Sequence, residues 1–92
     1  MSEKQENVPS NVFGGKDVAE QLKLTGKRIS EARKALGISI REMAILHNIT
    51  EAEYLLHENG QADTSFSFLL KTAERFGMDI NALITGDRKS VV

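Results

Sequence analysis

The sequence predicts an all-α fold of five short helices, and three observations lead to this prediction. Two capping-box sequences lie eleven residues apart, one with Ser39 and Glu42 and the other with Thr50 and Glu53. In a capping box the hydroxyl accepts from a first-turn backbone N–H, while the glutamate accepts from the N–H of the cap residue. Apolar residues recur at helical spacing between Ile29 and Leu83. One Pro, one Tyr and no Trp among 92 residues favour a helical domain over a sandwich or barrel.

The first helix is predicted from about Gly26 to Leu36. Ile29, Ala32 and Leu36 fall on one helical face, which is expected to point into the core. Gly37 follows and supplies the left-handed residue that commonly ends a helix.

The second and third helices follow the two capping boxes. The second is predicted from roughly Ile40 to His47, burying Met43 and Ala44. The third is predicted from roughly Glu51 to Glu58, burying Tyr54, and an Asn-Gly pair ends it. Only a tight turn fits between them. Two short helices joined by such a turn are the layout of a helix-turn-helix motif.

The fourth helix is predicted to begin after its cap Ser65, and the fifth after its cap Asp79. Apolar residues of the fourth helix keep the spacing of one buried face: Phe66, Leu69, Leu70, Ala73 and Phe76. The fifth helix is predicted from Ile80 to Ile84, with Ile80 and Leu83 closing the core.

Composition divides the chain into three ranges. Residues 1–21 are predicted to form a polar, partly disordered and flexible N-terminal arm, residues 22–86 the helix-turn-helix domain, and residues 87–92 a C-terminal tail or the start of a linker. Asp17 could cap a short helical turn within the arm, and Thr25-Gly26 would separate that turn from the first helix.

Several classes of protein are excluded by what the sequence lacks. It contains no Cys and only two His, so we expect no disulfide, no metal site and no cofactor. No apolar run approaches the length of a membrane span, and no signal pattern opens the chain, so we expect a cytoplasmic protein with no membrane partner. No triad-like arrangement, carboxylate pair or phosphate loop is recognisable, and we therefore predict that the protein is not an enzyme.

Charge is distributed unevenly although the formal net charge is −1. Between Lys23 and Arg41 there are six basic residues and one acid, whereas between Glu42 and Asp63 there are five acids and no Lys or Arg. Only the first of these segments is suited to phosphate groups.

Eight short segments between Gly26 and Gly86 carry a family resemblance. They are Gly26-Lys27-Arg28-Ile29, Arg33-Lys34, Gly37-Ile38-Ser39, Glu42-Met43-Ala44, Ile49-Thr50, Glu58-Asn59-Gly60, Leu69-Leu70-Lys71-Thr72-Ala73-Glu74-Arg75-Phe76-Gly77 and Met78-Asp79-Ile80-Asn81-Ala82-Leu83-Ile84. In this order and at these spacings, the chain resembles the phage-repressor-like (Xre/Cro-type) helix-turn-helix family. The resemblance implies a compact five-helix, lambda-repressor-like domain that acts as a sequence-specific DNA-binding transcriptional regulator. Its third helix would enter the major groove, commonly as a homodimer on two half-sites.

The resemblance also implies a role for individual residues. Arg33 and Glu58 would form a structural ion pair between the first and third helices. Base edges would be faced by Ile40, Thr50, Glu51, Ala52, Leu55 and Leu56. Phosphates would be contacted by Lys27, Arg28, Lys34, Arg41 and Asn59, although for each cation a merely solvated surface charge is an equal alternative. Many relatives continue into a ligand-sensing domain, often a cupin barrel, which could follow residue 92.

Five apolar residues fall outside the expected core set: Ile40, Ile45, Leu46, Leu55 and Leu56. Three explanations stay open, namely a cover formed by the N-terminal segment through Val12 and Phe13 or Val18 and Leu22, a protein partner or dimer face, or simple exposure. Because this helix-turn-helix is apolar and acidic where relatives are polar or basic, a second hypothesis competes with DNA binding. The fold would then serve mainly protein–protein contact or dimerisation, with weak or no DNA binding.

Overall fold

The computed structural model describes residues 18–86, which form five helices and no strand. Their bounds are α1 Val18–Leu36, α2 Ile40–His47, α3 Glu51–Glu58, α4 Phe66–Phe76 and α5 Ile80–Thr85. The all-α prediction and the four helices after the first are thus confirmed. Val12, Phe13 and Asp17 of the predicted arm, and all of residues 87–92, lie outside the described range.

Helix α1 is longer than the sequence predicted. It runs without interruption for 19 residues from Val18, through Thr25 and Gly26, so the prediction of a helix starting near Gly26 is wrong. Gly26 does not end a turn here; it is buried where α1 crosses the end of α3. A Cβ at this position would collide with the carbonyl oxygen of Glu58 and lie 2.5 Å from that of His57, which explains the glycine by close packing of two backbones.

Both capping boxes form as predicted. Ser39 Oγ accepts from the N–H of Glu42 at 3.0 Å, and Ser39 N–H donates to Glu42 Oε1 at 3.1 Å. At α3 the two corresponding bonds between Thr50 and Glu53 are each 3.0 Å. Between the two helices Asn48 adopts a left-handed conformation with φ 58°, which asparagine tolerates better than most residues. The turn is therefore formed by hydrogen bonds and a backbone conformation of residues that are close in sequence.

Each helix contributes one large side chain that is completely buried. These five residues are Ile29, Met43, Tyr54, Leu69 and Leu83. Ile38, Ala44, Ala73 and Phe76 complete the buried core. Because every helix supplies a member, removing any one helix would expose the others to water.

Three apolar residues predicted to face the core are exposed instead. Leu36 and Phe66 are each 52% exposed, and Leu70 is 41% exposed. Helix α4 turns Leu69, Thr72, Ala73 and Phe76 inward. The buried face of α4 thus includes the polar Thr72 and excludes Phe66 and Leu70, an arrangement that apolar periodicity alone could not indicate.

The ring of Phe68 lies between two histidines. His47 stacks on one side with ring centroids 3.7 Å apart, and His57 stacks with centroids 4.1 Å apart. His47 Nε2 is 2.9 Å from Thr72 Oγ1, and His57 Nδ1 is 3.0 Å from Thr64 Oγ1. This ring stack connects the ends of α2 and α3 to the start of α4. It also gives Phe68 a partner within the domain.

Burial changes the protonation of both histidines. Desolvation, together with the positive charge of Lys71 and the proximity of His57, lowers the pKa of His47 to about 4. Desolvation also lowers the pKa of His57, although Asp63 and Glu53 oppose the shift. Both rings are therefore neutral at pH 7, as stacking in a partly dry site requires.

Candidate nucleic-acid interface

Helix α3 has an inner and an outer side that differ sharply. Tyr54 and Glu58, one turn apart, are buried on the inner side. On the outer side Ala52 is exposed and Leu56 is 42% exposed, while Glu51 and Glu53 are exposed in the first turn. The helix is thus anchored along one face and open to solvent along the other, as a helix that enters a groove must be.

The inner side of α3 is fixed by a buried ion pair. Arg33 Nε donates to Glu58 Oε2 at 2.6 Å, and Arg33 Nη2 donates to Glu58 Oε1 at 3.2 Å. Tyr54 Oη donates to the same Oε2 at 2.5 Å, and Arg33 Nη1 donates to the carbonyl oxygen of Ile38 at 3.1 Å. The ion pair implied by the resemblance is present, and its bidentate geometry fixes α3 relative to α1 and to the turn before α2.

The electrostatics of this cluster favour the charged form of Arg33 and the neutral form of Tyr54. Hydrogen bonding to Glu58 raises the pKa of the Arg33 guanidinium above its ordinary value. Burial, reinforced by the bond to Glu58, raises the pKa of Tyr54, so its hydroxyl remains a donor at every pH at which the domain would be studied. The carboxylate of Glu58 therefore accepts three hydrogen bonds within the protein, which offsets the cost of its burial.

Two glycines allow α1 to lie directly against the end of α3. Besides Gly26, Gly60 with φ +74° follows α3, and a Cβ there would lie 2.6 Å from Cα of Lys23. Because Lys23 belongs to the N-terminal extension of α1, this extension supports the residues that immediately follow α3. The sequence predicted neither contact, since both involve residues more than 30 positions apart.

Four of the five predicted phosphate-contacting residues are exposed: Lys27, Lys34, Arg41 and Asn59. Arg28 is engaged differently. Its Nη1 donates to the carbonyl oxygens of Leu83 and Ile84 at 3.1 and 2.9 Å, which satisfies the C-terminal end of α5. The guanidinium is committed to holding α5 against α1, so Arg28 has a packing role and the structure does not support it as a phosphate contact.

The predicted base-facing residues divide into two groups. Thr50, Glu51, Ala52 and Leu56 are exposed, whereas Ile40 and Leu55 are half-buried, and Ile40 packs against the core. Leu46 also packs against the core, while Ile45 is 68% exposed. The outermost surface of the motif is thus smaller and less apolar than the sequence suggested, because part of the apparent patch belongs to the core.

Residues 18–86 contain no cluster of three or more His, Asp or Glu side chains that could hold a metal ion. Within the same range, no helix is both long and apolar enough to cross a membrane.

Comparison with known proteins decides the family. A protein-family model described as a helix-turn-helix domain matches residues 26–88, which is more than half of the chain. The chain belongs to this helix-turn-helix family. The crystal structure of the restriction-modification controller protein C.AhdI from Aeromonas hydrophila is similar, with 29% sequence identity and a TM-score of 0.62. The match covers 71% of this chain and 97% of that one. No curated protein matches the chain. The protein is a DNA-binding regulator of the helix-turn-helix type.

Proposed function

We propose that the protein binds double-stranded DNA sequence-specifically as a homodimer, with α3 in the major groove and residues of α1 and α2 on the flanking phosphates. The observation that carries this proposal is the two-sided character of α3. A buried hydrogen-bond network of Arg33, Tyr54 and Glu58 fixes its inner side. Its outer side, which carries Ala52 and Leu56, is exposed to solvent. A reading helix needs both a fixed orientation and an accessible face.

The flanking cations supply the affinity that α3 itself lacks. Lys27 and Lys34 lie on α1, and Arg41 lies in the first turn of α2; all three are exposed. Helix N-termini attract phosphate, and α2 and α3 both begin on this motif. The exposed acids Glu51 and Glu53 oppose phosphate binding, so a dimer that doubles the number of phosphate contacts is expected to be needed for useful affinity.

A titration of duplex DNA at several salt concentrations tests the proposal. Replacing Lys34 or Arg41 by Ala should weaken binding and flatten the dependence of log affinity on log salt by about 0.9 for each phosphate that the variant no longer neutralises. Lys71→Ala is the matched control, because Lys71 is an exposed cation on α4 and does not belong to α1, α2 or α3. If all three variants bind duplex with the affinity of the unaltered protein, the phosphate assignment is wrong.

A second function is favoured by a separate observation. Ile45 is 68% exposed and Phe66 is 52% exposed, and exposed apolar side chains mark a contact site where they form a contiguous patch. A protein partner or a dimer face would cover them. Sizing of the protein and of Ile45→Ser at two protein and two salt concentrations tests this function. Association through Ile45 should be lost in the variant and should lack the steep salt dependence of phosphate binding. The cytoplasmic location and a C-terminal sensor domain stay predictions.

A further inference from the structure

The outer side of α3 carries no side chain that can donate a hydrogen bond to a base. The helix contains no Lys, Arg, Asn or Gln between Glu51 and Glu58. Its only side-chain donors are Tyr54, which is buried and bonded to Glu58, and His57, which is half-buried against Phe68. The exposed side chains of α3 are all apolar or acidic.

This composition limits which base edges α3 can recognise. Guanine presents two acceptors in the major groove, and adenine presents an acceptor beside its amino group. Without donors, α3 cannot bind either purine through the usual bidentate contacts. The thymine methyl group and the cytosine amino group are the two features left, since the first takes an apolar contact and the second needs only an acceptor.

The outer side of α3 carries side chains that suit the thymine methyl group and the cytosine amino group. Leu56 is 42% exposed and Ala52 is exposed, and both lie opposite the anchored residue Tyr54 on the helix. Among the acids, Glu53 Oε1 accepts from the cap N–H of Thr50. The side chain of Glu51 is exposed and makes no hydrogen bond or ion pair with any other residue in the range 18–86, so its carboxylate is available as an acceptor.

We infer that this helix reads pyrimidine methyl groups: Leu56 and Ala52 contact thymine C5-methyl groups, and Glu51 accepts from an adjacent cytosine amino group. The adenine amino group is a poorer partner for Glu51, because the neighbouring N7 acceptor repels a carboxylate. This inference rests on the proposed function, since it specifies which half-sites the same helix recognises. The preferred duplex is one whose thymine methyl groups line the major groove facing α3.

Deoxyuridine substitution tests the inference directly, because it removes the methyl group and leaves base pairing intact. Duplexes selected from a random-sequence library are resynthesised with deoxyuridine in place of thymidine, and both forms are titrated at one salt concentration. We expect about four-fold weaker binding for each methyl group removed from the interface. Equal affinity of the two forms would overturn the inference and leave the proposed function intact. Failure to enrich any sequence would overturn both.

A pair of matched variants assigns the methyl recognition to α3. In Leu56→Ala the affinity ratio between the thymidine and deoxyuridine duplexes should fall but stay above one, because Ala52 keeps its methyl contact. In Leu70→Ala it should be unchanged, because Leu70 is similarly exposed, at 41%, but lies on α4. An unchanged affinity ratio in Leu56→Ala would contradict the assignment of Leu56. The comparison of the two duplexes with the unaltered protein tests the inference even if a variant fails to fold.

Discussion

Helix α3 is held at two places, and the two attachments differ in the charge they require. Toward α1 it is held by the buried pair of Arg33 and Glu58, which functions only when both groups are ionised. Toward α4 it is held by the ring stack, in which His57 and His47 contact Phe68 as neutral rings. The ring stack weakens in mild acid, because protonation places a charge on the half-buried imidazoles. One of the two contacts that orient α3 therefore depends on pH.

The largest effect is expected from breaking the charged attachment. Glu58→Gln leaves the Arg33 guanidinium buried without a counter-charge and should lower the free energy of unfolding by about 3–5 kcal/mol. Urea denaturation followed by circular dichroism measures the change.

Arg75→Ala is the control for that experiment. It removes an ion pair with Glu42 whose N–O distance is 3.7 Å and whose side chains are 43% and 53% exposed, so it should cost at most about 1 kcal/mol. Similar costs for the two variants would show that the buried pair contributes no more than a surface one.

A smaller effect is expected from separating α1 and α3 without altering any charge. Gly26→Ala places a Cβ against the carbonyl oxygen of Glu58 and 2.5 Å from that of His57, so the two backbones must move apart. We expect a decrease of about 1–3 kcal/mol in the free energy of unfolding, which outweighs the better helix propensity of Ala. Lys27→Ala, at the neighbouring exposed position, should change stability by less than about 0.5 kcal/mol. A Gly26→Ala protein as stable as the original would contradict the close packing.

The pH dependence of stability tests the ring stack. The folded-state pKa of His47, about 4, lies below the unfolded value of about 6.5, so the unfolded chain binds more protons between these limits. The contribution of the neutral ring is therefore complete above pH 6.5 and is lost as the pH falls toward 4. Allowing for the partial exposure of the ring, the loss is on the order of 1–2 kcal/mol.

Chemical denaturation at pH 7 and pH 5 checks this prediction, with His47→Gln for comparison. The variant should lose less stability between the two pH values, because only His57 then contributes an imidazole with a lowered pKa. Equal pH dependence of the two proteins would show that the pKa of His47 is not shifted.

Local sequence signals predicted α2 and α3 to the residue, because each capping box and each turn is formed by neighbours in sequence. The same signals failed at α1, where Gly26 looks like a helix breaker until the backbone of α3 is known to lie against it. They failed again at Arg28, whose acceptors Leu83 and Ile84 are 55 and 56 residues away. Contacts at such separations leave no local pattern.

The family resemblance supplied the residues of the candidate site, whereas the contacts and the exposure of these residues required the structure. The ion pair of Arg33 and Glu58 follows from resemblance alone, but the contribution of Tyr54 could have been anticipated, since it lies four residues before Glu58 on the same helical face. Exposure could not be predicted, because Ile40 and Leu56 have similar apolar side chains and differ only in what packs over them.

The central claim is that the outer side of α3 contacts DNA, and site-specific cross-linking tests this claim most directly. The chain has no cysteine, so Ala52→Cys introduces a single thiol on that side, and Asn81→Cys introduces one on α5 as a control. Each protein is incubated with a bound duplex that carries a disulfide-activated tether on a cytosine amino group in the major groove. We predict that Cys substitution at Ala52 gives the cross-linked complex and that substitution at Asn81 does not. Bound duplex that cross-links equally from both positions, or from neither, would contradict the claim.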